Sequence, residues 1–157
     1  MKITIITSLT IIVSLSMISC GNEITNKTNE ALIAEKKREI IFDVPSLIDK
    51  NIDEVNKIIG KPSNDSEPTK VQLKAGVDEW DKTYTKDGYE LLISYNPNTR
   101  QVTDFFIGTK DSSGKTNDYE DLLQVTNMTE NSSTVKVEPV KTIQNPEYYT
   151  GIIIKKK

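Results

Sequence analysis

The chain has 157 residues, 20 of them basic and 23 acidic, for a formal charge of −3, with one cysteine and no histidine. Mild acidity argues against a nucleic-acid partner, which would want a clustered basic face. The missing imidazole removes most general-base, relay and zinc chemistry, and the single thiol excludes an internal disulfide.

Lys2 precedes an apolar stretch, Ile3 to Ile18, that closes in Leu15-Ser16-Met17-Ile18-Ser19-Cys20. That stretch is shorter than the ~20 residues a spanning helix needs. A basic start, an apolar middle and a small residue before a cut is the layout of an export signal. The residues alone allow an ordinary cleaved signal, a signal-anchor helix or an acylated cysteine. The run resembles the lipobox of bacterial lipoproteins, which implies a diacylglyceryl group on the Cys20 sulfur and cleavage just before it. Acyl chains add ~0.8 kcal/mol of membrane affinity per buried methylene, so a multi-chain anchor holds where a single chain would not. The expectation is a signal over 1–19 and attachment to the membrane through Cys20, in the outer membrane if the host is Gram-negative.

Residues 20–40 are polar and charged and read as a flexible tether, leaving 41–157 as a single domain. Asn51-Ile52-Asp53-Glu54 has the pattern of a capping box, with acids in the first turn. Ile52, Val55, Ile58 and Ile59 follow on one expected helical face, and Gly60 and Pro62 end the helix. A shorter helix is predicted from about Pro68 to Ala75, stopped by Gly76. The period then changes to two over Val77–Thr85, Gly88–Asn96 and Gln101–Gly108. Asp87-Gly88 and Asn96-Pro97-Asn98-Thr99 are the turns between these runs. On the third run either Phe105 or Phe106 faces inward. Asn117-Asp118-Tyr119-Glu120 reads as a second capping box, and Val135–Val140 and Tyr149–Ile154 as closing strands. Lys155-Lys156-Lys157 reads as a solvated tail. The order predicts an α+β fold: a helical hairpin packed on one face of an antiparallel β-sheet, with a C-terminal helix and two further strands.

Val55-Asn56-Lys57-Ile58-Ile59-Gly60-Lys61-Pro62, then Trp80 and Tyr84, then Leu91-Leu92-Ile93-Ser94-Tyr95 and Val102, follow a known order. Residues 47–108 resemble the outer-membrane assembly lipoproteins of the small-protein-A type, the BamE family, which carry glycine where Asp49 stands. The resemblance implies two helices on a three-stranded antiparallel sheet, a scaffold shared with proteinaceous β-lactamase inhibitors, and an assembly role in the envelope. Residues 110–157 have no counterpart in that pattern.

Gly108 to Thr116 ends in Gly-Lys-Thr like a phosphate loop, but five residues separate its glycines where four are needed to curl the amides round a phosphate. It reads as a polar loop. Asp78-Glu79-Trp80-Asp81 lacks the alternating oxygen ligands of a calcium loop. Trp80, Tyr84, Tyr89 and Tyr95 are the candidate partner surface, set against the alternative that half of the aromatics are core. No metal or cofactor is expected. The expected function is a lipid-anchored, non-catalytic module that binds an envelope protein as assembly factor, scaffold or inhibitor. The alternatives are a carboxylate-dependent hydrolase of the envelope and an immunity-type lipoprotein that neutralises a toxin or hydrolase.

Overall fold

The computed structural model describes residues 39–157. The signal 1–19, Cys20 and the tether up to residue 38 lie outside the described residues. The chain enters the fold where the Ile41 and Phe42 amides both donate to the Val125 carbonyl, each at 2.9 Å. A 3-10 turn at Val44–Ser46 carries Pro45 in its first turn and buries Val44 and the following Leu47. Asp49 then takes φ +67°, a left-handed conformation for which glycine is the usual residue.

Helix α1 (Ile52–Ile59) has the expected capping box. Asn51 Oδ1 accepts from the Asp53 and Glu54 amides, and Glu54 Oε2 accepts from the Asn51 amide at 3.0 Å. Ile52 and Val55 are fully buried and Ile59 packs against the core, but Ile58 is half exposed. Six residues at about 100° each carry Ile58 some 240° round from Ile52, off the inward stripe. Helix α2 (Lys70–Lys74) is a little over one turn, capped by Thr69 with Gln72, and it buries none of its side chains. The helical layer over the sheet is therefore supplied by α1, the 42–47 segment and α3 (Tyr119–Val125), whose Leu122, Leu123 and Val125 are buried. The α3 cap is Asp118, accepting from the Asp121 amide at 3.0 Å, one residue later than the expected Asn117.

Five strands follow the expected runs: β1 (Trp80–Lys86), β2 (Tyr89–Tyr95), β3 (Val102–Gly108), β4 (Val135–Lys141) and β5 (Tyr149–Lys156). They form one antiparallel sheet in the order β1-β2-β3-β5-β4, so the fold is α+β as the sequence predicts. The β1–β2 turn has positive φ at both Asp87 and Gly88, the mirror-image geometry that matches strand twist. On β3, Phe105 and Ile107 face the core and Phe106 faces away. A register shift beside Tyr95 lets Val102 pack inward as well. Strand β5 continues through Lys156, whose ammonium pairs with Asp49, so the lysines at 155 and 156 belong to the sheet and not to a tail.

Candidate functional site

Alternation in β1 sends Trp80, Lys82 and Tyr84 toward the helices, and Lys82 is 1% exposed. An unpaired ammonium there would cost several kcal/mol. The loop between α1 and α2 answers it: Lys82 pairs with Asp65 and lies 2.9 Å from Glu67 Oε1. Glu67 Oε2 also accepts from the Tyr95 hydroxyl at 2.8 Å and from Arg100 Nη1 at 2.9 Å. Arg100 then forks onto Asp53 of α1, with Nη2 to Oδ1 at 2.7 Å and Nε to Oδ2 at 3.2 Å, while its guanidinium sits 5.2 Å from the Tyr95 ring centre. Burial works to raise the Glu67 carboxyl, and the hydrogen bonds from Arg100, Lys82 and Tyr95 overcome it and hold it down at about 2. Burial likewise opposes the Lys82 charge, yet Asp65 and Glu67 push its pKa above the ordinary lysine value. Hydrogen bonding to Arg100 is the main cause that lowers Asp53. Every charge in this knot is matched inside the molecule.

The four expected surface aromatics are held in this interior. Tyr84, Tyr89 and Tyr95 are 3%, 2% and 0% exposed, and Trp80 is half buried with its indole N–H donating to the Ser66 carbonyl at 3.1 Å. Tyr84 donates to Asn56 Oδ1 at 2.7 Å and Tyr89 to Asp121. Their rings share the inward register with Leu91 and Ile93, so a partner surface built on them is corrected to core with tethered hydroxyls. Cys20 lies outside the described residues.

The Gly108–Thr116 segment is a loop whose groups serve its own turns. Asp111 accepts from the Ser113 amide at 2.7 Å, and Thr116 exchanges both backbone bonds with Tyr149. It walls a cleft of about 790 Å³ together with Tyr89, Asp118 and Asp121. Among the described residues, no three acidic side chains converge as metal ligands, and no helix is long and apolar enough to cross a membrane.

The far side of the sheet is different. Each central strand carries a run of three apolar residues: Leu91-Leu92-Ile93, Phe105-Phe106-Ile107 and Ile152-Ile153-Ile154. The outer two of each run are core, and the middle one faces away from the helices. Register aligns the middle residues, since Leu92 pairs with Phe106 and Phe106 with Ile153. All three are half-buried and none belongs to the core cluster. The Phe106 ring reaches over Gly151, where a Cβ would stand 2.5 Å from its edge atoms. Among the described residues no helix covers this face, because every buried helical side chain joins the core on the other side.

Both sheet edges are blunted. The Ser63 and Asn64 amides cap the Thr83 carbonyl of β1 at 2.7 and 3.3 Å, and β4 carries Lys136, Pro139 and Lys141. Comparison of the chain with protein-family models, curated proteins and solved structures finds no match.

Proposed function

We propose that this is an exported envelope protein, lipid-anchored at Cys20, that acts as a non-catalytic protein-binding module through the sheet face opposite α1 and α3. One observation carries the reading: three half-buried apolar side chains, Leu92, Phe106 and Ile153, aligned in one row on a face that no helix among the described residues covers. Apolar patches rimmed by polar side chains are one hallmark of protein-binding surfaces. The lipobox at Cys20 supports the location. The left-handed Asp49, at the position where the BamE family carries glycine, supports a relation to those assembly lipoproteins. Blunted edges favour face contacts over strand addition.

A second reading, a carboxylate-dependent hydrolase, draws on the cleft beside Asp118 and Asp121. It has less behind it, since Asp121 is already bound to the Tyr89 hydroxyl.

Two measurements test the proposal. Replacing Cys20 with serine should release the protein from membranes or leave its signal uncleaved, and unchanged lipid labelling would end the anchor reading. Photocrosslinking from position 92 in native envelopes should trap a protein. Turnover of an envelope substrate that is lost in Asp121→Asn, with nothing trapped at 92, would favour the hydrolase.

A further inference from the structure

The open face is uneven in charge as well as apolar. Register places one row across all five strands: Asp81, Ser94, Asp104, Lys155, Lys136. Acids stand on the β1–β3 side and lysines on the β5–β4 side. The next row reads Thr83, Leu92, Phe106, Ile153, Glu138, with its apolar members in the middle. A two-fold axis parallel to the strands and lying over β3 reverses the strand order of a facing copy while keeping each row opposite itself. Asp81 then meets Lys136 of the second copy, Ser94 meets Lys155, Leu92 meets Ile153, and Phe106 meets Phe106. Asp104 meets its own equivalent, with Lys155 beside each copy. The one apolar band lies on itself and the outermost charges oppose. Lys136 already leans on Glu138 within its own chain, and Glu138 falls opposite the neutral Thr83.

We infer that the occupant of the open face is a second copy of this chain, stacked sheet on sheet about that axis. The inference rests on reading the face as a protein-binding surface and names the partner. Size agrees with it. Five strands at ~4.8 Å and seven residues at ~3.3 Å make a face of roughly 24 by 23 Å, or ~550 Å² per copy. The pair would bury ~1,100 Å², just above the ~1,000 Å² that a specific contact needs. Such a contact is weak between free molecules and is strengthened when both copies are held on one membrane, where the local concentration is high.

The test uses the full lipid-anchored chain in washed native membranes under mild oxidant. Thr83 and Glu138 end the same row, four strand spacings or ~19 Å apart, too far for a disulfide within one copy. They are brought together only between copies. The double variant Thr83→Cys/Glu138→Cys should form disulfide-linked dimers, while each single variant should not. Reversing Lys136→Glu and Lys155→Glu in that background should lower the dimer yield about tenfold, and adding Asp81→Lys and Asp104→Lys should restore it. Thermal melts of each variant confirm that the fold is kept. Loss of dimer with no other crosslinked band overturns the inference. Loss of dimer with a band of different mass also overturns it, and leaves the protein-binding reading of the face in place.

Discussion

Lys82 is a charged residue in a core position, and its stability contribution depends on which partner is changed. Glu67 joins Lys82, Tyr95 and Arg100, so Glu67→Gln leaves a buried ammonium with Asp65 alone and should lower stability by about 1–3 kcal/mol. Lys82→Met removes the buried charge itself, frees the half-exposed Asp65 carboxylate to water and leaves Glu67 with Tyr95 and Arg100. It should change stability by less than about 1 kcal/mol, and denaturant melts of the two variants separate these outcomes. The same knot sets an acid limit. The folded Glu67 pKa of about 2 lies below its ordinary 4.5, so its contribution is present above 4.5 and is lost as pH falls toward about 2. Thermal midpoints measured across that window should drop in the natural chain, with a shallower slope in Glu67→Gln. Gly151 is constrained differently. A Cβ there would stand 2.3 Å from the Ile107 carbonyl and 2.5 Å from the Phe106 ring. Gly151→Ala should cost about 1–3 kcal/mol or more, and trimming Phe106 to Ala should not rescue it, because the carbonyl stays.

At the scale of elements, α1 depends on its first turn, where one asparagine satisfies two amides and receives a glutamate in return. Asn51→Ala should destabilise the fold by about 1 kcal/mol, read as a lower thermal midpoint with unchanged secondary structure. This helix, the Asp87-Gly88 turn and all five strands were legible in the sequence because each has a local signal: a cap, a positive-φ pair or alternation. The four tyrosine and tryptophan positions were visible too, but not their direction, since alternation shows which residues share a face and not which face is covered. The charged knot was less legible. Asp65 and Glu67 sit in a polar loop without periodicity, and only Lys82, placed between Trp80 and Tyr84 in an inward pattern, marked it. The open face did leave a trace. Three consecutive apolar residues on each central strand, where alternation would place a polar one, are the mark of a sheet that is apolar on both sides.

For the whole molecule, charge and cover are divided between the two sides of one sheet. The covered side takes its helices, its tyrosine hydroxyls and a matched set of ions, and leaves little for a ligand to compete with. The other side keeps an apolar row, and beside it a row with Asp81 and Asp104 on the β1–β3 half and Lys155 and Lys136 on the β5–β4 half, where Glu138 also lies against Lys136. Salt should therefore weaken self-association of the intact chain if that charge contrast steers it, and sedimentation at increasing ionic strength reads the effect directly.

Strand order has a consequence for truncation. Strand β5 (Tyr149–Lys156) follows β4 in the chain but lies between β3 and β4, so β4 cannot join the sheet, and the second edge of β3 stays open, until β5 is in place. A chain cut before Tyr149 should therefore keep the β1-β2-β3 ladders and leave β4 without a partner strand.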